Sequence, residues 1–201
     1  MMFKSNNPGG NIMKRLPICF IITLISLILS VCIPNAMSSD QVHLRNQAKQ
    51  LSDEDVKSML IKFNFFDKTK NKNGVFANDF VDNGDGTVTD QTTGLMWQKD
   101  GSLKGMTWAD SKEYANKLNN DRFSGRSDWR LPTIEELASL LKSKKANGNL
   151  HIDPIFSGKQ MFCWSADTFG PEMAWYASFK TGMIRHIYHF FYHVRAVRTI
   201  K

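Results

Sequence analysis

The sequence predicts an α+β fold for the region that follows an apolar N-terminal segment. Two central stretches, 107–119 and 133–141, combine capping residues with helical spacing of apolar side chains, and short stretches around them alternate in polarity as strands do. Short strands flanking two central helices are typical of the α+β class. Roughly 160 residues follow the N-terminal segment, which is enough for one domain with its own core.

The N-terminal segment, residues 1–38, is expected to direct export. A Lys-Arg pair precedes an apolar run over 16–33, and small residues at 36–38 offer a signal peptidase site. Two alternatives stay open: a lipid anchor at Cys32, and a retained anchor helix, because the run is near the minimum of roughly 17 residues for a membrane span. Each alternative predicts a periplasmic, cell-surface or secreted domain that meets a membrane only through this segment.

Residues 39–50 are polar and are expected to form a flexible tether, followed by a helix and loop over 51–75. Ser52 is predicted to cap the helix, and acidic residues fill its first turn. The expected buried stripe consists of Val56, Met59, Leu60 and Phe63. The spacing of loop 68–74 is similar to the start of an EF-hand, but an EF-hand needs Asp at position one and Glu at position twelve, and those positions hold Thr69 and Phe80. We therefore interpret the loop as a lysine-rich turn rather than a calcium loop.

The rest of the chain, 76–201, is predicted to form the main domain. Strands at 80–82 and 87–90 flank residues suited to a hairpin turn, and a third strand is expected at 95–98. Thr107 is expected to cap the second helix, with Asp110 returning the capping bond, and Thr133 with Glu136 forms a capping box for the third. Further strands are predicted at 162–166, 174–179, 183–188 and 192–199.

Cysteine and charge content narrow the possible functions. Cys163 is the only cysteine after the N-terminal segment, so that region cannot form an internal disulfide, a cysteine zinc site or a redox pair, and we expect this thiol to be a small buried residue. Residues 141–201 hold nine Lys and Arg against three Asp and Glu, and four of the five histidines. This asymmetry indicates an anionic partner.

The candidate ligand-binding residues lie in the basic and aromatic stretch near the C-terminus. They are Lys180, Arg185, His186, Tyr188, His189, His193 and Arg195. Alternate residues of a strand share a face, so Arg185 and His189 are expected to align, as are His193 and Arg195. The competing interpretation is an ordinary solvated basic face. A metal site is disfavoured because strand geometry places the histidine rings on both faces.

Other conspicuous residues are expected to be structural. Tryptophans in alternating apolar stretches usually fill the core, although their ring faces also suit sugar stacking. The four such residues are Trp97, Trp129, Trp164 and Trp175. Arg130 is expected to pair with Asp128 and brace the loop before the third helix.

Seven ordered strings over roughly 76–199 resemble the Lcl C-terminal domain family, formerly DUF1566. They are DNGDGTVTD, TGLMWQ, TWADSKEYANKLN, SDWRLPT, CWS, AWYASF and VRAVR. The resemblance implies a C-type-lectin-like fold. The family includes the tip domain of a bacterial collagen-like adhesin that binds sulfated glycans as a trimer, so the resemblance also implies, less directly, sulfated-glycan binding and a trimer for this chain. This chain lacks the Gly-X-Y stalk of that adhesin.

No catalytic motif was found, whether a GxSxG elbow, an HExxH helix or a P-loop, and no cofactor is implied. Export disfavours a nucleic-acid partner. The sequence therefore predicts an exported, non-enzymatic binding module for an anionic polysaccharide or other cell-surface glycan. The alternative is a structural or protein-interaction subunit of the cell envelope.

Overall fold

Three α-helices and two antiparallel sheets form the described part of the chain, residues 41–200, in a computed structural model. The helices are α1 (Asp53–Lys62), α2 (Trp108–Asn120) and α3 (Ile134–Ser139). The strands are β1 (Phe80–Asp82), β2 (Thr87–Asp90), β3 (Leu95–Gln98), β4 (Phe162–Phe169), β5 (Met173–Ser178), β6 (Met183–Ile187) and β7 (Val197–Thr199). The predicted α+β class is confirmed, whereas the expected targeting segment lies outside the described residues.

The first sheet has the order β1-β2-β3-β7 and the second has the order β4-β5-β6. The predicted β1–β2 hairpin forms, and Gly84 and Gly86 adopt the positive φ angles that its turn requires, +75° and +86°. In the second sheet, Trp175 and Ala177 of β5 point into the main core, while Ala174 and Tyr176 face a separate aromatic cluster. Each face of this sheet therefore has a distinct environment.

The helix caps follow the local sequence. Ser52 and Asp55 form a complete capping box on α1, and Thr133 and Glu136 form another on α3. At α2 the Thr107 hydroxyl accepts from the Asp110 amide as predicted, but the Asp110 carboxylate accepts from that hydroxyl and not from the Thr107 backbone. The cap predicted at Ser52 is thus confirmed, as is one of the two predicted reciprocal caps, the one at Thr133.

The segment expected to be a flexible tether is instead fixed against the domain. The guanidinium of Arg45 donates to both carboxylate oxygens of buried Asp167 at 2.8 Å, and Glu135 accepts from the Arg45 amide. Further along, Thr168 exchanges backbone hydrogen bonds with Lys49 and Leu51. The prediction was wrong because these partners are more than 80 positions away in the sequence.

Two other predictions need correction. Only Val197–Thr199 of the strand expected at 192–199 forms, because the earlier residues change partners: Tyr192 bridges Met106, and His193 bridges Cys163. Arg130 was expected to pair with Asp128, but its guanidinium forms a two-point contact with buried Glu136 at 2.6 and 2.7 Å, and Arg198 donates to the Asp128 carboxylate.

The core contains the aromatic residues that the sequence places there. Trp97, Trp164 and Trp175 are fully buried and Trp129 is 2% exposed, as predicted. Cys163 is also buried, and desolvation raises the pKa of its thiol to about 11. Among residues 41–200, the helices are too short or too polar to cross a membrane.

Candidate functional site

The predicted ligand-binding residues are dispersed along the β5–β6 hairpin and the segment after it. Lys180 is exposed at the hairpin turn, and Arg185 and His186 occupy opposite faces of β6. Tyr188 and His189 follow the strand and are exposed. The predicted alignment of Arg185 with His189 on one strand face does not occur, because β6 ends at Ile187.

Arg195 does not lie on a ligand-accessible surface, which corrects its assignment as a binding residue. Its side chain is fully buried, and its guanidinium lies 4.8 Å from the centre of the Phe156 ring. Four neutral oxygens accept its hydrogen bonds: the carbonyls of Gln98, Lys99 and Ser157 and the side-chain oxygen of Gln160. Arg195 thus ties two loops to the sheet.

Two histidines of the stretch are also held by the fold. The ring of His186 stacks on Phe169 at 3.8 Å, and its Nε2 lies 3.3 Å from the Asp53 carboxylate. Burial, with a smaller contribution from Arg195, lowers the pKa of His193. A lowered pKa keeps His193 neutral at pH 7, so this residue adds no positive charge to the surface.

The structure nevertheless gathers lysines from three distant stretches around the β5–β6 turn. The amide of Lys68 donates to the Gly182 carbonyl at 2.9 Å, which fixes loop 68–72 beside the turn. On the other side, His151 donates to the Phe179 carbonyl at 2.7 Å and accepts from the Lys142 amide at 3.0 Å. We call the resulting surface the lysine-rich end; it consists of Lys68, Lys72, Lys142, Lys144, Lys145 and Lys180.

The charges of the lysine-rich end are largely uncompensated. None of its six lysines forms an ion pair within residues 41–200, and five are exposed. Lys142 is half-buried, and desolvation lowers the pKa of its amine, with Asp153 and Asp90 acting in the opposite direction. The neighbouring carboxylate of Asp67 is buried and already accepts from Ile184 and the 69–70 turn. Asp153 lines the same cavity as Lys142 and Lys144.

A cavity of about 260 Å³ lies within the lysine-rich end, between loops 74–76 and 141–146. Lys142, Lys144 and Asp153 provide its charged groups, and Val75 at its edge is 69% exposed. Sequence analysis missed this site because its lysines are spread over more than 110 positions. The local signals were the lysine-rich turn at 68–74, which has no acidic residue, and the three lysines within 142–145.

A second cavity, which we call the aromatic pocket, occupies the other end of the hairpin, where Ala174 pairs with Ile187. Its volume is about 240 Å³. The lining includes Trp108, Tyr188, His189, Phe190 and Glu172. Trp108 is the one tryptophan not considered for ligand stacking from sequence, and it is the one that remains partly exposed.

The described residues hold no group of three or more His, Cys, Asp or Glu side chains placed to bind a metal ion.

Comparison with known protein families matches residues 86–198 to the Lcl C-terminal domain. Comparison with curated proteins yields no match. The match includes the lysines at 142–145, Lys180 and the tryptophan of the aromatic pocket, but not loop 68–72 or the Arg45 segment. Part of the lysine-rich end is therefore supplied by chain that precedes the family domain.

Proposed function

Because the chain belongs to the Lcl C-terminal domain family, we propose that it is an exported binding module for anionic polymers, with sulfated glycans as the first class. The proposal joins the glycan binding implied by the family resemblance to the charge distribution of this chain. Export is part of the proposal and depends on the N-terminal pattern of residues 14–38. We also propose that the two-sheet architecture is C-type-lectin-like.

The lysine-rich end carries the proposal. A polyanion presents many negative groups in a row, and a surface with several unpaired amines attracts it from a distance and holds it through many weak contacts. Lys68, Lys144 and Lys180 come from three loops that backbone hydrogen bonds hold beside one another. Side chains that are exposed and unpaired lose little hydration when they meet a sulfate.

A glycan array at two salt concentrations tests the proposal. We expect sulfated chains such as heparin to bind at about 50 mM NaCl and to lose most of their binding at about 500 mM, since salt screens charges beyond a few ångströms. Carboxylated chains of lower charge density should bind less, and neutral chains should not bind. Binding of neutral glycans alone, or of no glycan, would remove the basis for this function.

The alternative, a protein-interaction subunit, is favoured by one observation. Leu103, Phe190 and Phe191 are 87%, 52% and 68% exposed, and isolated domains seldom display such large apolar side chains close together. The 103–106 segment runs beside 191–192, where Met106 pairs with Tyr192. Association through this surface would be insensitive to salt, so the same two salt concentrations separate it from polyanion binding.

A further inference from the structure

The aromatic pocket differs in chemistry from the lysine-rich end and lies about 14 Å from it along the hairpin, at 3.4 Å per residue. Trp108 forms one wall and is held in place, because its indole nitrogen donates to the Ser165 carbonyl at 2.8 Å. Tyr188, His189 and Phe190 add three more aromatic side chains, and Ala174 closes the base. The pocket is therefore a preformed aromatic cavity.

The lining of the pocket includes one carboxylate. Glu172 is the only carboxylate among the lining residues, is exposed, and forms no ion pair with the described chain. Nearby, the Asp110 carboxylate accepts from the Thr107 hydroxyl at 2.6 Å. Lys112 places its ammonium 4.4 Å from the centre of the Trp108 ring, yet it does not line the cavity. His189 stands edge-on to Tyr188 at 4.0 Å.

We infer that the aromatic pocket binds an alkylated ammonium group, such as the head group of choline. Aromatic ring faces attract cations, and the attraction grows when water is excluded. Glu172 supplies the balancing negative charge. A cavity of about 240 Å³ is smaller than the roughly 300–1,000 Å³ typical of larger ligands, which suits a single head group.

Two polar groups of the pocket are not available to a sugar ring. The Trp108 indole N–H and the Thr107 hydroxyl are already bonded to Ser165 and Asp110, which leaves the polar side chains of Glu172, Tyr188 and His189. A sugar brings several hydroxyls that each lose free energy when left without a partner, whereas a quaternary ammonium has no N–H to satisfy. This inference uses no residue of the lysine-rich end and stands independently of anionic-polymer binding.

Tryptophan fluorescence of the full chain tests the inference directly. The other four tryptophans are at most 2% exposed, so a ligand in the pocket reports chiefly through Trp108. Choline chloride, titrated with total salt held constant, should give a saturable change. Its uncharged isostere 3,3-dimethylbutan-1-ol should bind about tenfold more weakly, because it fills the same space without the charge.

Substitutions sharpen the test. Glu172→Gln should weaken choline binding about threefold while the binding of the alcohol stays the same. Trp108→Leu removes the fluorescent reporter, so its expected loss of choline binding is measured by isothermal titration calorimetry. Phe191→Ala, which removes an exposed ring outside the pocket, is the matched control and should bind choline normally. If Trp108→Leu unfolds the domain, Glu172→Gln still tests the inference, because the Glu172 side chain is exposed and its replacement should leave the fold intact.

Three outcomes would overturn the inference. Equal affinity for choline and the alcohol would make the pocket a plain apolar site. Saturation by a methyl glycoside but not by choline would make it a sugar-ring site. A response that fails to saturate by about 100 mM choline would show that the pocket has no useful affinity for this class.

Discussion

Replacing Arg45 with alanine should destabilise the whole domain, although Arg45 lies outside the matched family region. The Arg45 side chain is 16% exposed and the Asp167 carboxylate is fully buried, with both guanidinium contacts at 2.8 Å. Removing one partner of a buried ion pair leaves the other charge without compensation, at a cost of about 3–5 kcal/mol. Asp167 keeps amide donors from Lys49 and Ile134, so the lower end, about 3 kcal/mol, applies.

For a domain of this size that loss corresponds to a fall in melting temperature of about 6–12 °C. Thermal unfolding followed by circular dichroism measures it, and hydrogen exchange should show faster exchange of the Lys49 and Leu51 amides. Lys57→Ala is the control, because Lys57 makes only an exposed contact with Glu54 at 3.9 Å, and it should change stability by less than about 0.5 kcal/mol. An Arg45→Ala melting temperature equal to that of the control would refute the structural role of this segment.

Three more predictions concern buried or partly buried groups. Glu136→Gln should lower the urea midpoint of unfolding, because Arg130 loses the buried carboxylate that it contacts twice. The control Glu113→Gln changes an exposed side chain and should leave the midpoint unchanged; equal midpoints for the two variants would contradict the prediction. The pKa of His193 is lower in the folded chain than in the unfolded chain, so the unfolded chain binds more protons and stability should fall as pH drops below 6.5. His193→Gln should reduce that fall in stability; a pH profile unchanged by the substitution would contradict this role of His193. Cys163 should resist iodoacetamide at pH 8 until urea unfolds the chain, as followed by mass spectrometry of its peptide; labelling of the native chain would show that it is not buried.

Local features of the fold were predictable because their causes lie within a few residues. The caps at Ser52 and Thr133 need only a residue three positions away, and the β1–β2 hairpin needs only its glycine turn. Burial of the four core tryptophans followed from strand alternation alone. Such features require no knowledge of the tertiary arrangement.

Long-range partners were not predictable. Asp128 is the acidic residue nearest to Arg130 in the sequence, but only the folded chain shows that the Arg130 guanidinium pairs with Glu136. Likewise, nothing near Arg195 indicates that distant carbonyls surround it, so it looked like a surface charge. The polar composition of 39–50 suggested a flexible tether. The ion pair that fixes this segment could not be predicted, because Asp167 lies 122 positions away from Arg45 in the sequence.

The candidate site shows the same division. Lys180 was predicted to be a binding residue and is exposed, but its neighbours on the lysine-rich end come from loops 68–72 and 142–145, which only backbone pairing brings near. Trp108 was assigned to a helix and not to a cavity, because the pocket needs residues from β5 and from the segment after β6. Composition indicated an anionic partner, whereas the choice of the lysine-rich end as the proposed site depended on the tertiary fold.

Heparin affinity of two matched double variants tests the central claim most directly. Lys144→Gln with Lys145→Gln removes two exposed charges from the lysine-rich end, and Lys49→Gln with Lys104→Gln removes two from elsewhere. At about 0.2–1 kcal/mol per exposed charge contact, the first pair should raise the dissociation constant by about 2- to 30-fold, and the second pair should leave it unchanged within about twofold. Equal weakening by both pairs would mean that heparin senses only net charge, and the lysine-rich end would then have no special role.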